Sequence, residues 1–470
     1  MTEPLLAPLA RFAAQRRGPA PGQDPRLDER LEATLVDYAG ALVAGLGHPL
    51  AAPYLRALGP QAGEVGPAWI AGQTTHAPVE AAAMSNAALA HLWEVDDAHR
   101  LSTSHPGIVV LPTVFALACT MPGLQAADLR DAIVAGYEAV LRVGAFLGPE
   151  HYAVNHTTAT AGAFGAASAA GRLLGLDTER MLWALGHAGT QAAGLWQFLD
   201  DGAGAAKMLH AGLAARAGLT AARLAQADIP GAAHVLEGPR GALRSWQIPG
   251  GDPALLRPEG EERIHDVTIK AWPTCGQMHS ALDCARALTQ RPDWPGAEAI
   301  RAVEVEVPSA ARAIAGNRDP QTLAEAKFST SFCIAALLSG FPPDFRGCMP
   351  ALLTRPEPRA MEAKVNLSSP PAFDARFPRE RPARVSVTLT DGRILTEERA
   401  FRSGDPEAPW DRPALAGRLV DVLALAPDHP AEPEALIRWA RRLANAEGAA
   451  PDADALAALI PLSRPEIPAA

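Results

Sequence analysis

The sequence predicts a mainly α protein, with a large helical domain formed by both ends of the chain and a smaller α+β domain inserted between them. Three observations carry this. Apolar residues recur at helical spacing through most of residues 5–225, and a helical pattern returns from Pro413 to about Ala446. Alanine dominates a composition that is 48% hydrophobic and only 5% aromatic, which suits close-packed helices better than an aromatic-rich β-sandwich. Strand-like runs and a hairpin turn are confined to a stretch from about 266 to 408. The expected division is 1–265 together with 409–470, against 266–408. A chain of 470 residues is long enough for two or three domains.

Each element has its own signal. Residues 5–17 and 26–45 show helical periodicity, the second as Leu27, Leu31, Leu35, Tyr38, Ala39 and Leu42, and a Gly/Pro loop joins them. Pro78–Leu92 predicts a helix running into a polar stretch. Helices at about 109–120 and 126–147 follow, the second closed near Gly148-Pro149. Ala161–Gly171 is almost entirely Ala, Gly and Ser, so neighbouring backbones can approach it, which places it centrally. Helices at 178–194 and 208–225 come next. Beyond Arg263 the character changes. Val267–Trp272 reads as a short strand, a helix ends near Thr289, Ile300–Val307 is β-rich, and Pro320–Leu338 is helical. Val385–Thr390, the turn Asp391-Gly392 and Ile394–Glu397 form a hairpin. The end after Ala450 is expected to be loose.

Composition excludes several classes of function. A net charge of −10 argues against a nucleic-acid surface, while leaving room for a local basic pocket. Cys119, Cys275, Cys284, Cys333 and Cys348 are odd in number and scattered, as reduced intracellular thiols are. The N-terminus lacks a basic segment followed by an apolar run, and the apolar run Gly107–Met121 is interrupted by Pro112, so a cytoplasmic protein without a membrane span is expected. Of 42 basic residues only Lys207, Lys270, Lys327 and Lys364 are lysine. Where arginine fills the surface roles, a retained lysine marks a place for an amine that can lose its proton when buried, although codon bias accounts for one or two.

The polar stretch from His91 to Gly107 packs Glu94, Asp96, Asp97, His99 and His105 between two apolar segments. Rigid helices on either side can aim such groups; the alternative is a solvated loop in which an Asp caps the next helix. His156 stands at the mouth of the small-residue helix, where an anion is favoured, or serves there as a structural hydrogen-bonder. Lys207 opens the next small-residue helix and can reach the same central region. The run Gly202-Ala-Gly-Ala-Ala-Lys207 lacks the second Gly, the following Ser/Thr and the preceding strand of a phosphate loop. Cys275 and His279 are a lone pair without further ligands at zinc spacing, and no Gly-x-Ser-x-Gly is present, so neither a metal site nor a serine hydrolase is expected. There remains a metal-free acid/base set: Asp96, Asp97, His105, His156, Lys207, Lys270 and His279. Imidazoles and amines beside carboxylates suit removal of a proton or of CO₂ next to a carboxylate, which means elimination, decarboxylation or epimerisation.

The ordered set Glu94-Val-Asp-Asp, His105-Pro-Gly, Asn155-His-Thr-Thr, Lys207-Met-Leu-His-Ala-Gly-Leu-Ala-Ala, Ile269-Lys-x-x-Pro-x-Cys275-x-x-x-His279 and Glu325-Ala-Lys-Phe-Ser329 resembles the MmgE/PrpD family over roughly residues 25–445. That family includes 2-methylcitrate dehydratase, cis-aconitate decarboxylase and iminodisuccinate epimerase. The resemblance implies that the inserted domain is a lid, that the site lies in the cleft and needs no cofactor, and that the protein is a homodimer. It also implies pocket roles for His105, His156, Lys207 and Lys270, with Asp96 and Asp97 at the acidic motif and His279 nearby. Two departures stand out. Thr-Ser-Phe332 stands where several relatives resemble a Tyr-bearing pattern, and the spacing from Asp97 to His105 is longer than in the decarboxylase.

The expected activity is therefore a cofactor-independent lyase acting on a small di- or tricarboxylate, a dehydratase of the 2-methylcitrate type. His105 or His156 would shuttle the proton, and Lys207 and Lys270 would bind carboxylate and stabilise the enolate. Asp96 or Asp97 would orient a histidine or protonate the leaving hydroxyl, and Cys275, His279 and Phe332 would contact substrate. Three alternatives stay open. One is a decarboxylase, or an epimerase or isomerase, of a related acid. Another is prenyl-diphosphate chemistry on Asp96-Asp97, which lacks a third Asp at the expected spacing. The last is a non-catalytic helical scaffold.

Overall fold

A computed structural model describes residues 3–19, 22–61, 63–345, 349–446 and 455–460. Helix accounts for 55% and strand for 8%, with a small mixed sheet in the C-terminal region, so the mainly α class holds. The chain divides into two compact units. The first comprises Met1–Trp196, Ala206–Val267 and Leu415–Ala470, and the second comprises Gln197–Ala205 and Thr268–Ala414. The segment Gln197–Ala205, which the sequence groups with the first unit, falls in the second.

The first unit is built from α1 (Ala7–Gln15), α2 (Pro25–Leu46), α3 (Ala51–Leu58), α4 (Val79–His91), α5 (Gly107–Ala118), α6 (Ala126–Tyr152), α7 (Thr157–Leu173), α8 (Thr178–Gln191) and α9 (Lys207–Gln226). Asp24 starts α2 by accepting the Leu27 N–H at 3.1 Å, with Pro25 in the first turn. The small-residue helix α7 is buried along its whole length and packs against α5, α6, α8 and α9. Its glycines make this possible. A Cβ on Gly165 would stand 2.0 Å from Val140 Cγ2, and one on Gly218 of α9 would stand 2.5 Å from the Ala167 backbone nitrogen. Helix α6 is long and apolar enough to cross a membrane, but 83% of that apolar window is buried inside the fold, as suits a core helix. Gly148, at φ 76° and ψ −174°, breaks α6 where the sequence predicted its end, and one more turn follows.

The second unit contains α10 (His279–Thr289), β1 (Ile300–Glu306), α11 (Thr330–Leu338), β2 (Val365–Ser368), β3 (Ala383–Leu389) and β4 (Ile394–Arg399). The sheet order is β2-β1-β3-β4, with β1 and β2 parallel and the other pairs antiparallel. Val303 pairs with Val387, Val305 with Val385, and Val387 with Leu395, so alternate residues form one apolar, buried face. Helix α10 packs on β3, β4 and α11. On the polar face Arg384 pairs with Glu306 at 2.9 Å and with Glu398 at 2.7 Å. The C-terminal return of the chain carries α12 (Arg412–Leu423) and α13 (Pro433–Ala444). Helix α13 packs on α2, where Arg441 meets Glu32 at 2.8 Å.

Some expected elements differ. The helix predicted over Pro320–Leu338 is two helices, Leu323–Ala326 and α11. Ser329 accepts the Phe332 N–H as an N-cap, and the Lys327 carbonyl accepts from Cys275 N at 2.9 Å. Of the strand predicted over Val267–Trp272, only Val267–Thr268 forms, because Ile269 bonds to the Gly404 carbonyl and to the Trp410 indole. Strand β2 is short and half-exposed and has no clear alternating signal. Cys348 lies outside the described residues. Of the end expected to be loose, the described part contains the short helix Ala455–Leu459.

Two glycine substitutions should have opposite signs. Gly218→Ala forces a Cβ onto the Ala167 backbone and is expected to destabilise by about 1–3 kcal/mol. Gly417→Ala, on an exposed stretch of α12 with open space around it, should stabilise by about 0.5–1 kcal/mol. Denaturant titration of both variants checks the pair.

Candidate active site

After His91 ends α4, the chain to Gly107 folds inward. Glu94, Asp96, Asp97 and His99 are each no more than 4% exposed, so the solvated-loop alternative fails. Its capping element survives: Asp97 Oδ1 accepts the Gly107 N–H at the start of α5 at 2.9 Å, and its other oxygen accepts the Tyr137 hydroxyl at 2.8 Å. Burial, with Asp37 nearby, holds the Asp97 carboxyl well above the usual carboxylate range despite these donors. Asp97 is thus tied into the scaffold. The stretch is pinned from a distance as well. Trp93 donates to the Ala44 carbonyl at 2.8 Å, and Arg418 donates to the Val95 carbonyl at 2.7 Å while pairing with Asp37 at 2.7 Å. Between these anchors Glu94 takes a left-handed backbone, φ 60°, a strained conformation for a non-glycine residue.

That turn aims the Glu94 carboxylate at Lys207, the first residue of α9. The ammonium donates to both carboxylate oxygens, at 2.6 and 2.7 Å, and both side chains are buried. On the other side, Asp96 Oδ1 is 2.9 Å from His91 Nδ1 and Oδ2 is 3.1 Å from His105 Nδ1. His105 Nδ1 also lies 2.7 Å from the Asp97 carbonyl. A carbonyl only accepts, so Nδ1 carries a proton, and whenever the ring is neutral Nε2 is the acceptor, the form of a general base. The His105 side chain is 12% exposed, more open than its neighbours.

His156 is the N-cap residue of α7. Its Nδ1 is 3.1 Å from Nδ1 of His210, one turn along α9 from Lys207, and its ring lies 4.6 Å from that of Trp196. One imidazole of the pair donates and the other accepts. Burial, then the charge of Lys207, holds His156 well below the ordinary histidine value, and burial brings His210 down to about 4. The rings of His91, His105 and His156 are contiguous, with centroids 4.9 to 6.2 Å apart. One nitrogen from each lies within 4.8 Å of the others, so these are the residues that could hold a cation among those described. The Lys207 ammonium beside His156 opposes such an ion, whereas the Nδ1 contacts of His91 with Asp96 and of His105 with the Asp97 carbonyl leave Nε2 of each ring as the ligating nitrogen.

The remaining predicted residues lie in the second unit. Lys270 and His279 are wholly buried, and burial followed by the charges of Lys270 and Arg402 lowers His279 well below its ordinary value. Arg402 pairs with Asp405 at 2.8 Å and donates to Thr268 at 2.7 Å. His279 Nε2 is 3.2 Å from the Thr274 carbonyl. Cys275 and Phe332 sit in the hydrophobic core of this unit, and the Arg359 guanidinium lies 4.9 Å from the Phe332 ring. His105, His156, Lys207 and Asp96 are therefore brought together in the first unit, while Lys270, Cys275 and His279 are grouped in the second.

Comparison with known proteins bears on what these groups belong to. Residues 8–250 match the MmgE/PrpD N-terminal domain and residues 272–437 the MmgE/PrpD C-terminal domain. The chain belongs to the MmgE/PrpD family. It is also similar to the cis-aconitate decarboxylase of Aspergillus terreus, at 29% identity over 352 residues that cover 67% of this chain and 69% of that protein. With the cis-aconitate decarboxylase of Homo sapiens it shares 28% identity over 363 residues, 72% of this chain and 70% of that one.

In this member of the MmgE/PrpD family, sequence reasoning missed four residues of the buried polar centre and its anchors. His91 and Glu94 stand in the polar stretch itself, but the adjacent Asp96-Asp97 drew the assignment. His210 was legible as the residue one helical turn after Lys207. Arg418, 323 residues from Val95, had no local signal.

The buried pair and the buried imidazoles each have a consequence. Glu94→Gln leaves the Lys207 charge without its counter-ion and is expected to cost about 3–5 kcal/mol in denaturant unfolding. Glu94→Leu combined with Lys207→Met should recover most of that loss. His156 and His210 are held neutral in the fold but take up protons when unfolded, so their contribution is complete above about pH 6.5. For His210 it is lost as pH falls toward about 4. Melting temperature should drop across that window, less so in His210→Asn.

Proposed function

We propose that this MmgE/PrpD-family protein is a lyase acting on a small di- or tricarboxylate, and that it needs no cofactor. The observation that carries the reading is the tautomer of His105: the Asp97 carbonyl fixes its proton on Nδ1, leaving Nε2 as a base at the most open position of a buried polar cluster. Such a base removes or returns a proton on the carbon next to a carboxylate. Lys207 supplies positive charge where the enolate develops, although two of its donors already face Glu94, so a substrate carboxylate would share the ammonium. Lys270 is assigned a carboxylate-binding role in the same reading.

The finer assignment is a dehydratase of the 2-methylcitrate type. Elimination of water needs a base for the carbon-bound proton and an acid for the leaving hydroxyl, whereas loss of CO₂ needs only a donor for the resulting carbanion. The cluster carries a base, His105 beside Asp96, and a second imidazole pair, the neutral His156 and His210, whose remaining N–H can hydrogen-bond a leaving hydroxyl, and this supports elimination. Decarboxylation is the second reading, favoured by the similarity to cis-aconitate decarboxylases.

Incubating the protein with 2-methylcitrate, citrate and cis-aconitate, while following alkene absorbance and CO₂ release, separates the two. Alkene formation from a hydroxy acid without CO₂ is the result expected. CO₂ from cis-aconitate would replace it with the second reading, and no turnover of any of the three would defeat both. His105→Ala should lower kcat by about 10²–10⁴-fold.

A further inference from the structure

We propose that His91 is a positioning residue for the acid/base centre, holding Asp96 against His105 and linking that pair to Glu94 and Lys207 through one buried chain of contacts. The proposal rests on the reading above, in which His105 handles the proton and Lys207 supplies charge. The groups follow one another in space, with one step, Glu94 to His91, longer than a hydrogen bond. Lys207 Nζ meets Glu94 at 2.6 and 2.7 Å, and Glu94 Oε1 lies 3.8 Å from His91 Nε2. His91 Nδ1 lies 2.9 Å from Asp96 Oδ1, and Asp96 Oδ2 lies 3.1 Å from His105 Nδ1.

Each link follows from the donor and acceptor capacity of the groups. An ionised carboxylate only accepts, so His91 Nδ1 carries a proton and donates to Asp96. That bond fixes the rotation of the Asp96 carboxylate and thereby turns its second oxygen toward His105, where at 3.1 Å it makes an ionic contact, the Nδ1 proton itself going to the Asp97 carbonyl. The other end of the ring, Nε2, has no hydrogen-bond partner among the described residues, although it is buried and directed toward Glu94 at a distance too long for a hydrogen bond. Burying a polar nitrogen without a partner is unfavourable, and a residue chosen only to end α4 would not need it. Standing between Glu94 and Asp96, the imidazole also separates two buried carboxylates that would otherwise repel. The groups around it are Glu94, Asp96, Lys207 and the rings of His105, His156 and His210.

Two substitutions distinguish the ends of the ring. The amide of His91→Asn falls near the place of Nδ1 and can still donate to Asp96; that of His91→Gln falls near Nε2 and cannot. With the substrate that the parent turns over in the preceding assay, His91→Gln is expected to lose roughly tenfold or more in kcat with little change in KM, as loss of an oriented acid/base partner does. His91→Asn should recover most of that loss at the same melting temperature. Parent-like kcat in His91→Gln, or equal losses in both variants, overturns the proposal. Nitrogen NMR of the histidine-labelled parent decides the matter without substrate or mutation. The His91 ring is expected to be protonated at Nδ1, and a ring protonated at Nε2 alone overturns the proposal. Because this measurement requires no turnover, its failure is distinct from failure of the lyase reading.

Discussion

The buried ion pair between Glu94 and Lys207 is the interaction on which the rest of the first unit's polar centre depends. Two full charges withdrawn from water are costly unless each finds a close, well-directed partner. Here the partner is bidentate, with both carboxylate oxygens within 2.7 Å of the ammonium. The contact joins residues 113 apart, tying the turn after α4 to the first residue of α9. The left-handed backbone at Glu94 is part of the same requirement, since the carboxylate reaches inward from a turn rather than from a helix face. The turn in turn relies on the C-terminal return of the chain, where Arg418 holds the next carbonyl.

Around this pair the fold supplies a dry, polar interior in an otherwise small-residue helical bundle. Close approach of α6, α7 and α9, made possible by Gly165 and Gly218, leaves no room for bulk water along α7. Low polarity and the Lys207 charge together keep His156 neutral, and burial does the same for His210. A neutral imidazole at neutral pH offers one nitrogen as acceptor and the other N–H as hydrogen-bond donor, which suits orienting a substrate oxygen. Asp96 and Asp97, adjacent in sequence, have separated roles. Asp97 is occupied by Gly107 and Tyr137 in holding α5, while Asp96 faces two histidines.

Much of this was legible in the sequence. Helical periodicity located the long helices, the Ala/Gly/Ser run marked α7 as central, and the scarcity of lysine singled out four residues, of which Lys207, Lys270 and Lys327 are buried. The meeting of His105, His156 and Lys207 could be anticipated because each stands at the edge of a helix that must pack against the others. What escaped were features set by tertiary geometry. Glu94 is a carboxylate like its neighbours until the backbone turns left-handed, and Arg418 acts across nearly the whole chain. Phe332 read as a substituted pocket residue, yet it packs in the core of the second unit because the preceding helix breaks and Ser329 starts a new one.

The central claim is that His105, supported by Asp96 and the Glu94–Lys207 pair, moves a carbon-bound proton. Running the reaction to equilibrium in D₂O, starting from the hydroxy acid and from the alkene, tests it most directly, with mass spectrometry of the polycarboxylate pool. Carbon gains deuterium when the proton is returned in the reverse direction. The account predicts deuterium at a carbon next to a carboxylate with the parent protein, and its loss in a folded His105→Ala variant. Equal incorporation by parent and variant, or none by a parent that is turning over substrate, would contradict it.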